Sequence, residues 1–539
     1  MEVTVRIERE ELWQWRRAAP VRPGDRLILG GLIGAGLFST LRFADWWFTP
    51  AHVGEPALYV ILSLAVWYGL SRMVLGWVNL AAISAAPHVP ARAGRSVAIF
   101  TTASPGEPVG MFETTLAACA RIEHPHTTYL LDDTGDGRLR EVAERHDAVW
   151  LELVGIPGAK AGKINAALER TDEELILVLD PDHVPFPNFL DRVVGQFDDE
   201  AVGFVQVAQA YYNQSRSFTA RAAAEQTYAF YGPTQMGLFG HGCAVAIGAN
   251  CTFRRTALES VGGHGIGLAE DMVTSIRLHG AGWKSVYVPE IVSRGLVPED
   301  IGSFYRQQLK WARGVFEVLF SELPRAFPTL SWRQRLSYLT ISTYYVFGAT
   351  TLMYLVLPYL YLWTGVQPAA MSFAEFVGRG GGVAVVGVVI YRFGQRWLCD
   401  PRHEVGLHWR ALMLKIACWP VCVAGMLFAV VRAEIPYIPT AKEARRGRFL
   451  RLAWPHLLLT AVYLGSVAWV VRHRLLLAPE ESLRLTSEAV WGMIGFATWA
   501  VLMAGGGIYA AWEATRPPTG FAWDIIEREP ITMAEHDAA

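Results

Sequence analysis

Asp180 and Asp182, one residue apart, follow directly on the apolar run Ile176-Leu177-Val178-Leu179. A short unbroken run of branched apolar residues predicts a strand buried on both faces, Leu175–Asp180. Pro181 has no amide hydrogen and stops the ladder. Two carboxylates therefore emerge at the strand's C-terminal end, the edge at which open α/β sheets bind ligands. Paired hard oxygen ligands suit Mg2+ or Mn2+ shared with a diphosphate, because the metal neutralises the charge of the leaving group. Taken alone, the triplet reads equally well as an acidic turn. Its companions decide the matter.

Four further stretches carry chemistry. Leu131-Asp132-Asp133-Thr134-Gly135-Asp136-Gly137 closes an earlier strand with a glycine-rich acidic turn, where a carboxylate can accept a hydrogen bond from the N–H of a base such as uracil. Gly158-Ala159-Lys160-Ala161-Gly162-Lys163 opens a helix in which small residues permit close approach and lysines offer charge to phosphates. Leu268-Ala269-Glu270-Asp271 begins another helix with two carboxylates. Gln307-Gln308-Leu309-Lys310-Trp311 places an indole beside amides and a cation, suited to stacking on a sugar face while hydrogen-bonding its hydroxyls.

These stretches need a scaffold, and the rest of the chain supplies it. Short strand candidates at 96–102, 127–131, 148–153, 175–180 and 202–207 alternate with helical stretches such as 107–120 and 161–170. That alternation predicts an α/β domain with a mostly parallel sheet. Outside it, apolar runs predict spans at Leu27–Phe48, Ala57–Ala85, Leu336–Thr364, Phe373–Tyr391, Ala453–Val471 and Ala489–Trp512. Ala411–Val431 is read as an interfacial helix, because an Arg-rich 432–451 on the cytoplasmic side leaves room for one crossing in that region, and Lys415 can then reach water. Charges within or beside the apolar runs are Arg42 and Asp45 near the far end of the first, Arg72 in the second, and Glu375 and Arg379 at the start of 373–391. Arginines before the first span and at Arg92 and Arg95 put both the N-terminus and the α/β domain in the cytoplasm.

Composition agrees with a membrane protein: 539 residues, 52% hydrophobic, net charge −2. With no basic excess, no nucleic acid partner is expected. The six cysteines show no metal-ligand or framework spacing, and Cys418 and Cys422 read as packing residues in an apolar helix. No small-residue cleavage site follows the first apolar run, so the N-terminal segment is expected to be retained.

The order D-D, K-A-G, D-x-D, E-D and Q-x-x-x-W with membrane spans on either side resembles the processive family 2 glycosyltransferases: cellulose synthases, with hyaluronan, chitin and curdlan synthases as relatives. Tyr437-Ile438-Pro439-Thr440-Ala441-Lys442 is similar to the F-x-V-T-x-K gating loop of cellulose synthases. The chain departs from the family pattern at A-E-D for T-E-D, Q-Q-L-K-W for Q-x-x-R-W, and Ser104-Pro105-Gly106-Glu107 for S-Y-N-E. Val245-Ala246-Ile247-Gly248-Ala249 keeps only the glycine of F-F-C-G-S. The segment after Trp512 is shorter than a PilZ barrel and lacks its signature, so no direct control by cyclic-di-GMP is expected.

The resemblance implies a fold and a set of roles. The fold is an α/β GT-A-type glycosyltransferase domain inserted between α-helical transmembrane segments, about six in all. Its parts are a cytoplasmic segment 1–26, two transmembrane helices in 27–85, the catalytic domain 86–325, transmembrane and interfacial helices in 326–452 with the loop 437–442, two more transmembrane helices in 453–512, and a cytoplasmic tail 513–539. Asp271 is the implied general base, with Glu270 beside it. Asp132, Asp133, Glu107, Lys160, Asp180, Gln307, Lys310, Thr440 and Lys442 bind the nucleotide sugar. Trp311 and Gly248 meet the acceptor, and Asp180 and Asp182 hold Mg2+ or Mn2+. The expected function is inverting, processive elongation and secretion of a β-linked polysaccharide, a β-glucan from UDP-glucose, in a bacterial-type inner membrane. The partners are the UDP-sugar, the growing polysaccharide chain, the lipid bilayer and an extracytoplasmic export subunit. The alternatives are a single-addition transferase acting on a lipid acceptor and a non-catalytic export subunit.

Overall fold

The computed structural model describes residues 14–92, 94–436, 440–443, 447, 449–473, 487–516 and 520. Its centre is the predicted apolar strand, observed as β5 (Leu175–Leu179) with all five residues buried. The other strands are β1 (Arg16–Arg17), β2 (Val97–Ala103), β3 (Thr127–Asp132), β4 (Val149–Glu152), β6 (Val184–Pro185), β7 (Val202–Tyr211), β8 (Cys251–Arg254) and β9 (Lys284–Gly295). Among the described residues the sheet runs β1-β9-β7-β8-β5-β2-β3-β4, with β6 paired to β9.

The five strands expected from sequence are all present, but the sheet is mixed rather than mostly parallel. β8 is antiparallel to both β5 and β7, whereas β2 to β5 run parallel to their neighbours in one half. The unforeseen β9 contains Pro289, Glu290 and Arg294, which argue against a buried strand when read alone. The structure accommodates them with a bulge. Register with β7 jumps from Val207↔Val288 to Ala208↔Ile291, and the N-terminal β1 pairs with Glu290 and Ile291 there.

Among the described residues six helices are long and apolar enough to cross a membrane: Pro23–Trp47, Pro56–Ala81, Trp332–Thr364, Phe373–Trp397, Phe449–Val471 and Val490–Glu513. They coincide with the six spans expected from sequence. The segment read as interfacial is a pair of helices, Trp409–Ala417 and Trp419–Val430, bent by 46° at Cys418. All six cysteines are free and buried.

Glycines set the contact between domain and spans. Asn79, near the end of the second span, donates to the Thr234 carbonyl (2.8 Å). A Cβ on Gly237 would lie 2.4 Å from Asn79, and one on Gly240 would lie 1.7 Å from the Ala82 carbonyl oxygen. Helix Ile301–Phe320 packs against Trp419–Val430 by the same device: a Cβ on Gly425 would come within 2.7 Å of the Ala312 methyl. Close backbone approach through small residues is the usual way such helices gain packing contact.

Candidate active site

β5 ends at Leu179 and delivers Asp180, Pro181 and Asp182 beyond its last hydrogen bond. Helix Val109–Cys119 fixes the turn, with the Thr115 hydroxyl donating to the Pro181 carbonyl (2.6 Å). The two carboxylates then meet different partners. Asp180 accepts from Lys160, which also donates to the Gly248 carbonyl. Asp182 is enclosed, paired with Lys442 (3.0 Å) and accepting from the Leu296 N–H (3.2 Å). Burial works against ionisation of Asp180, yet Lys160 and Lys442 hold it below the usual carboxylate range. Asp182 lies lower still, because Lys442 and His183 overcome the same burial. The gating-loop-like segment thus reaches the acidic pair through Lys442. Tyr437, Ile438 and Pro439 lie outside the described residues, as does most of 513–539.

Lys160 stands on helix Ala159–Leu168, as its motif predicts. The small residues of that motif serve the fold: Gly158 adopts φ +93, and a Cβ on Gly162 would sit 1.8 Å from the Pro157 carbonyl oxygen. Gly248, with φ +82, faces the E-D motif, and a Cβ there would be 3.5 Å from Asp271 Oδ2 and 3.9 Å from Glu270 Oε1. Fully buried Gln206 pins this loop, accepting from the Ile247 N–H (3.1 Å) and donating to the Ala249 and Asn250 carbonyls (3.0 Å each). Ser275 ties the loop to the next helix, donating to the Asp271 carbonyl and accepting from the Ala246 N–H (2.9 Å each).

Glu270 and Asp271 open helix Glu270–Gly280. Burial and the adjacent Glu270 carboxylate push Asp271 up to about 7, and burial also raises Glu270. Burial raises Glu107 to about 7 as well; it accepts from the Ser104 N–H (2.8 Å), and Lys442 draws it back down. Burial lowers Lys310, although Glu270 and Asp180 favour its charged form. Helix Ile301–Phe320 approaches the E-D turn so closely that a Cβ on Gly314 would lie 2.9 Å from the Ala269 nitrogen. On that helix Gln307 is half-buried, Gln308 is buried with its amide oxygen toward the Tyr345 hydroxyl (3.4 Å), and Trp311 is 38% exposed.

The D-D motif behaves differently from the expectation that set Asp132 against a base. Asp132 is fully buried; it accepts from the Thr134 N–H (2.7 Å) and hydroxyl (2.6 Å) and from the Trp150 indole (3.0 Å). These bonds commit its carboxylate to the turn and to β4. Asp133 retains an exposed edge, with one oxygen paired to Lys163 (2.6 Å) and the other accepting from the Gly155 N–H (3.2 Å).

His183, the residue after Asp182, also belongs to the site. Ligand atoms of Asp180, Asp182 and His183 all lie within 4.8 Å of one another. Two carboxylates and an imidazole fit a hard-to-borderline divalent cation. His183 stacks beneath Gly295, whose Cβ would be 2.5 Å from the ring, and its Nε2 meets the Gln209 amide (3.0 Å). Tyr231 in turn donates to Gln209 Oε1 (2.9 Å). A hydrogen-bonded side chain behind a ligand fixes its orientation. Only the D-P-D-H run hinted at this; Gln206, Gln209 and Tyr231 carry no sequence signal.

A carboxylate with a pKa about 7 titrates at working pH. If Asp271 serves as the general base that the resemblance implies, it acts ionised, so kcat/KM should rise as pH increases through about 7 and level off above it. A pH–rate profile on saturating divalent metal checks this, and a limb that stays flat down to pH 5 contradicts the assignment.

Residues 175–377 match the family model described as "Glycosyl transferase family group 2". Among curated proteins, the chain is 27% identical over 349 residues to "Putative cellulose synthase 2" of Komagataeibacter xylinus, covering 62% of this chain and 22% of that protein. It is 27% identical over 342 residues to the "Cellulose synthase catalytic subunit [UDP-forming]" of Xanthomonas axonopodis pv. citri, covering 60% and 47%. The corresponding subunit of Pseudomonas fluorescens is 26% identical over 362 residues, covering 64% and 49%. The matches therefore span half or less of those relatives' own length. Among solved structures, a mannosyltransferase from Pyrobaculum calidifontis in complex with GDP-Man and Mn2+ superposes with a TM-score of 0.47 at 15% identity, over 70% of this chain and 100% of that one.

Proposed function

We propose that this chain, similar over residues 175–377 to family group 2 glycosyl transferases and at 27% identity to a cellulose synthase catalytic subunit, is a cellulose synthase-like transferase that elongates a β-glucan from UDP-glucose by inverting transfer and passes the polymer through its own spans. One observation carries the reading. Motifs scattered from residue 160 to 442 meet in one continuous chain of contacts: Lys442 on Asp182, Asp180 on Lys160, Lys160 on Gly248, and Gly248 against Asp271.

Asp271 takes the proton of the acceptor hydroxyl as that oxygen attacks the anomeric carbon, so the reaction needs no covalent intermediate. Held by Asp180, Asp182 and His183, a divalent cation would neutralise charge on the departing diphosphate. Lys160, Lys310 and Lys442 ring the same place with positive charge, and their ammonium groups stabilise the leaving UDP. Lys442 pairs with Asp182 in this structure and, with Thr440, turns to the diphosphate when the nucleotide enters. Asp133, just past the end of β3 and paired with buried Lys163, meets the base, and Glu107 stands within the influence of Lys442. Gln307 and Trp311 hold the terminal sugar of the acceptor, beside Gly248.

A non-catalytic export subunit would have no need of half-buried Asp180 and Asp271 and buried Asp182 facing lysines. Single addition to a lipid carrier would use the same carboxylates but no exposed tryptophan at the acceptor side. Turnover of the purified protein with UDP-glucose, UDP-N-acetylglucosamine and GDP-mannose, followed by nucleotide diphosphate release, tests the donor. UDP-glucose is expected to be consumed fastest, and preference for GDP-mannose would overturn the donor assignment.

Trp311→Ala is expected to lose polymer while sparing slow hydrolysis of the donor by water, because stacking on the sugar contributes about 1 kcal/mol or more. Radiolabelled product and free glucose, measured in the same reactions, check it. Full-length polymer from the variant would remove the indole from the acceptor site.

A further inference from the structure

Arg72 of the second span and Lys415 of the bent helix pair come together in the folded chain around one aromatic ring. The helix of the third span breaks after Ser342, with a short 3₁₀ turn at Tyr344–Val346 before Phe347. The Arg72 guanidinium lies 5.3 Å from the Tyr344 ring centre, and the Lys415 ammonium lies 4.7 Å from the same centre and 4.8 Å from that of Phe347. Arg72 also donates to the Thr340 carbonyl, and Tyr68 donates to the Thr343 (2.8 Å) and Tyr344 (2.9 Å) carbonyls. Among the described residues no carboxylate pairs with either cation. One turn after Lys415, the Trp419 indole N–H is buried with no acceptor among the described residues.

The level of this cluster is set by the domain contact. Asn79 touches the soluble domain at Thr234, and Arg72 is seven residues earlier on the same helix, about 10 Å further toward the middle of the span. Tyr345, next to Tyr344, bonds Gln308 on the helix that carries Trp311. The cations therefore stand beside the acceptor helix, just beyond the face on which the domain docks. Arg72 belongs to the second span, whose apolar window is only 11% buried within the protein. Ionisable side chains in such segments are costly unless a partner compensates them. Long basic side chains placed this far along a span reach back toward the head-group layer, where the bilayer offers phosphate, and basic pockets between helices accept phospholipid head groups. A guanidinium fork and an ammonium are the matching donors.

We propose that Arg72 and Lys415 form a phosphate-binding site, filled by the head group of an anionic phospholipid at the membrane edge of the acceptor port. The site lies outside the catalytic carboxylates, and its occupancy does not depend on the donor sugar.

The test uses the full chain in nanodiscs of phosphatidylcholine, with and without phosphatidylglycerol, and in phosphatidylcholine with added inorganic phosphate. Retained lipid is read by native mass spectrometry, independently of glycosyl transfer, so a wrong functional reading leaves this readout intact. Wild type should retain phosphatidylglycerol over phosphatidylcholine. Arg72→Gln and Lys415→Gln should each retain it about fivefold less well, and Lys415→Arg should keep it, which covers the case in which a neutral variant fails to fold. Displacement of the lipid by inorganic phosphate at millimolar levels would keep the site and assign it to soluble phosphate. Equal retention of phosphatidylglycerol by wild type and both glutamine variants would overturn the proposal.

Discussion

Asp271→Asn is expected to lower kcat by about 10²–10⁴-fold, the usual contribution of a positioned general base, with UDP affinity close to that of the wild type. The side chain faces Gly248 and hydrogen-bonds the Met272 N–H, and an asparagine can occupy the same space. What it loses is the capacity to accept a proton. The direct charge partners of the nucleotide site, Lys160 on Asp180 and Lys442 on Asp182, are untouched by the change. Single-turnover measurement and calorimetry with UDP separate the two effects. If Glu270→Gln proves as damaging as Asp271→Asn, the two carboxylates act as a pair; near-normal turnover in Asp271→Asn assigns the base elsewhere.

Asp182→Asn should be comparably severe by a different route. Asp182 is buried against Lys442, His183 and the Leu296 N–H, and an amide in its place leaves the ammonium without its counter-charge. The divalent cation concentration needed for half-maximal activity should rise by at least ~10²-fold, because even residues behind a ligand cost 10–100-fold. Chelation with EDTA should abolish wild-type transfer, and Mg2+ or Mn2+ should restore it. Lys442→Ala gives a sharper view. It removes the cation that shares Asp182, so Mn2+ binding without nucleotide, followed by electron paramagnetic resonance, should tighten even as polymer synthesis falls. Full activity of metal-free protein would end the metal assignment.

How far the sequence disclosed this arrangement depended on the kind of signal. β5 and its aspartates were legible because five branched residues and Pro181 mark a buried strand and its end without outside help. The six apolar helices were legible because length and apolarity are local properties. β8 and β9 were not, because four residues are too few to show a period and because Pro289 and Arg294 make sense only once the bulge and β1 are in place. In the site, motif residues with charge were found, but their orientation was not. Asp132 and Asp133 are indistinguishable in sequence, and only folding turns the first inward to Trp150 and Thr134. Gln206, Gln209 and Tyr231 were invisible because a hydrogen-bonding support has no spacing rule of its own.

The central claim is that this single chain polymerises glucose processively. The direct measurement is the product of purified protein in sealed vesicles, supplied with UDP-[14C]glucose, excess primer and Mg2+ and sampled when many donors per enzyme but fewer than one per primer have been consumed. The account predicts long chains from the earliest samples, coexisting with unused primer, and their degradation by a β-1,4- or β-1,3-specific glucanase but not by an α-glucanase. Label appearing only as a lipid-linked monosaccharide, or as short products that lengthen together, would contradict it.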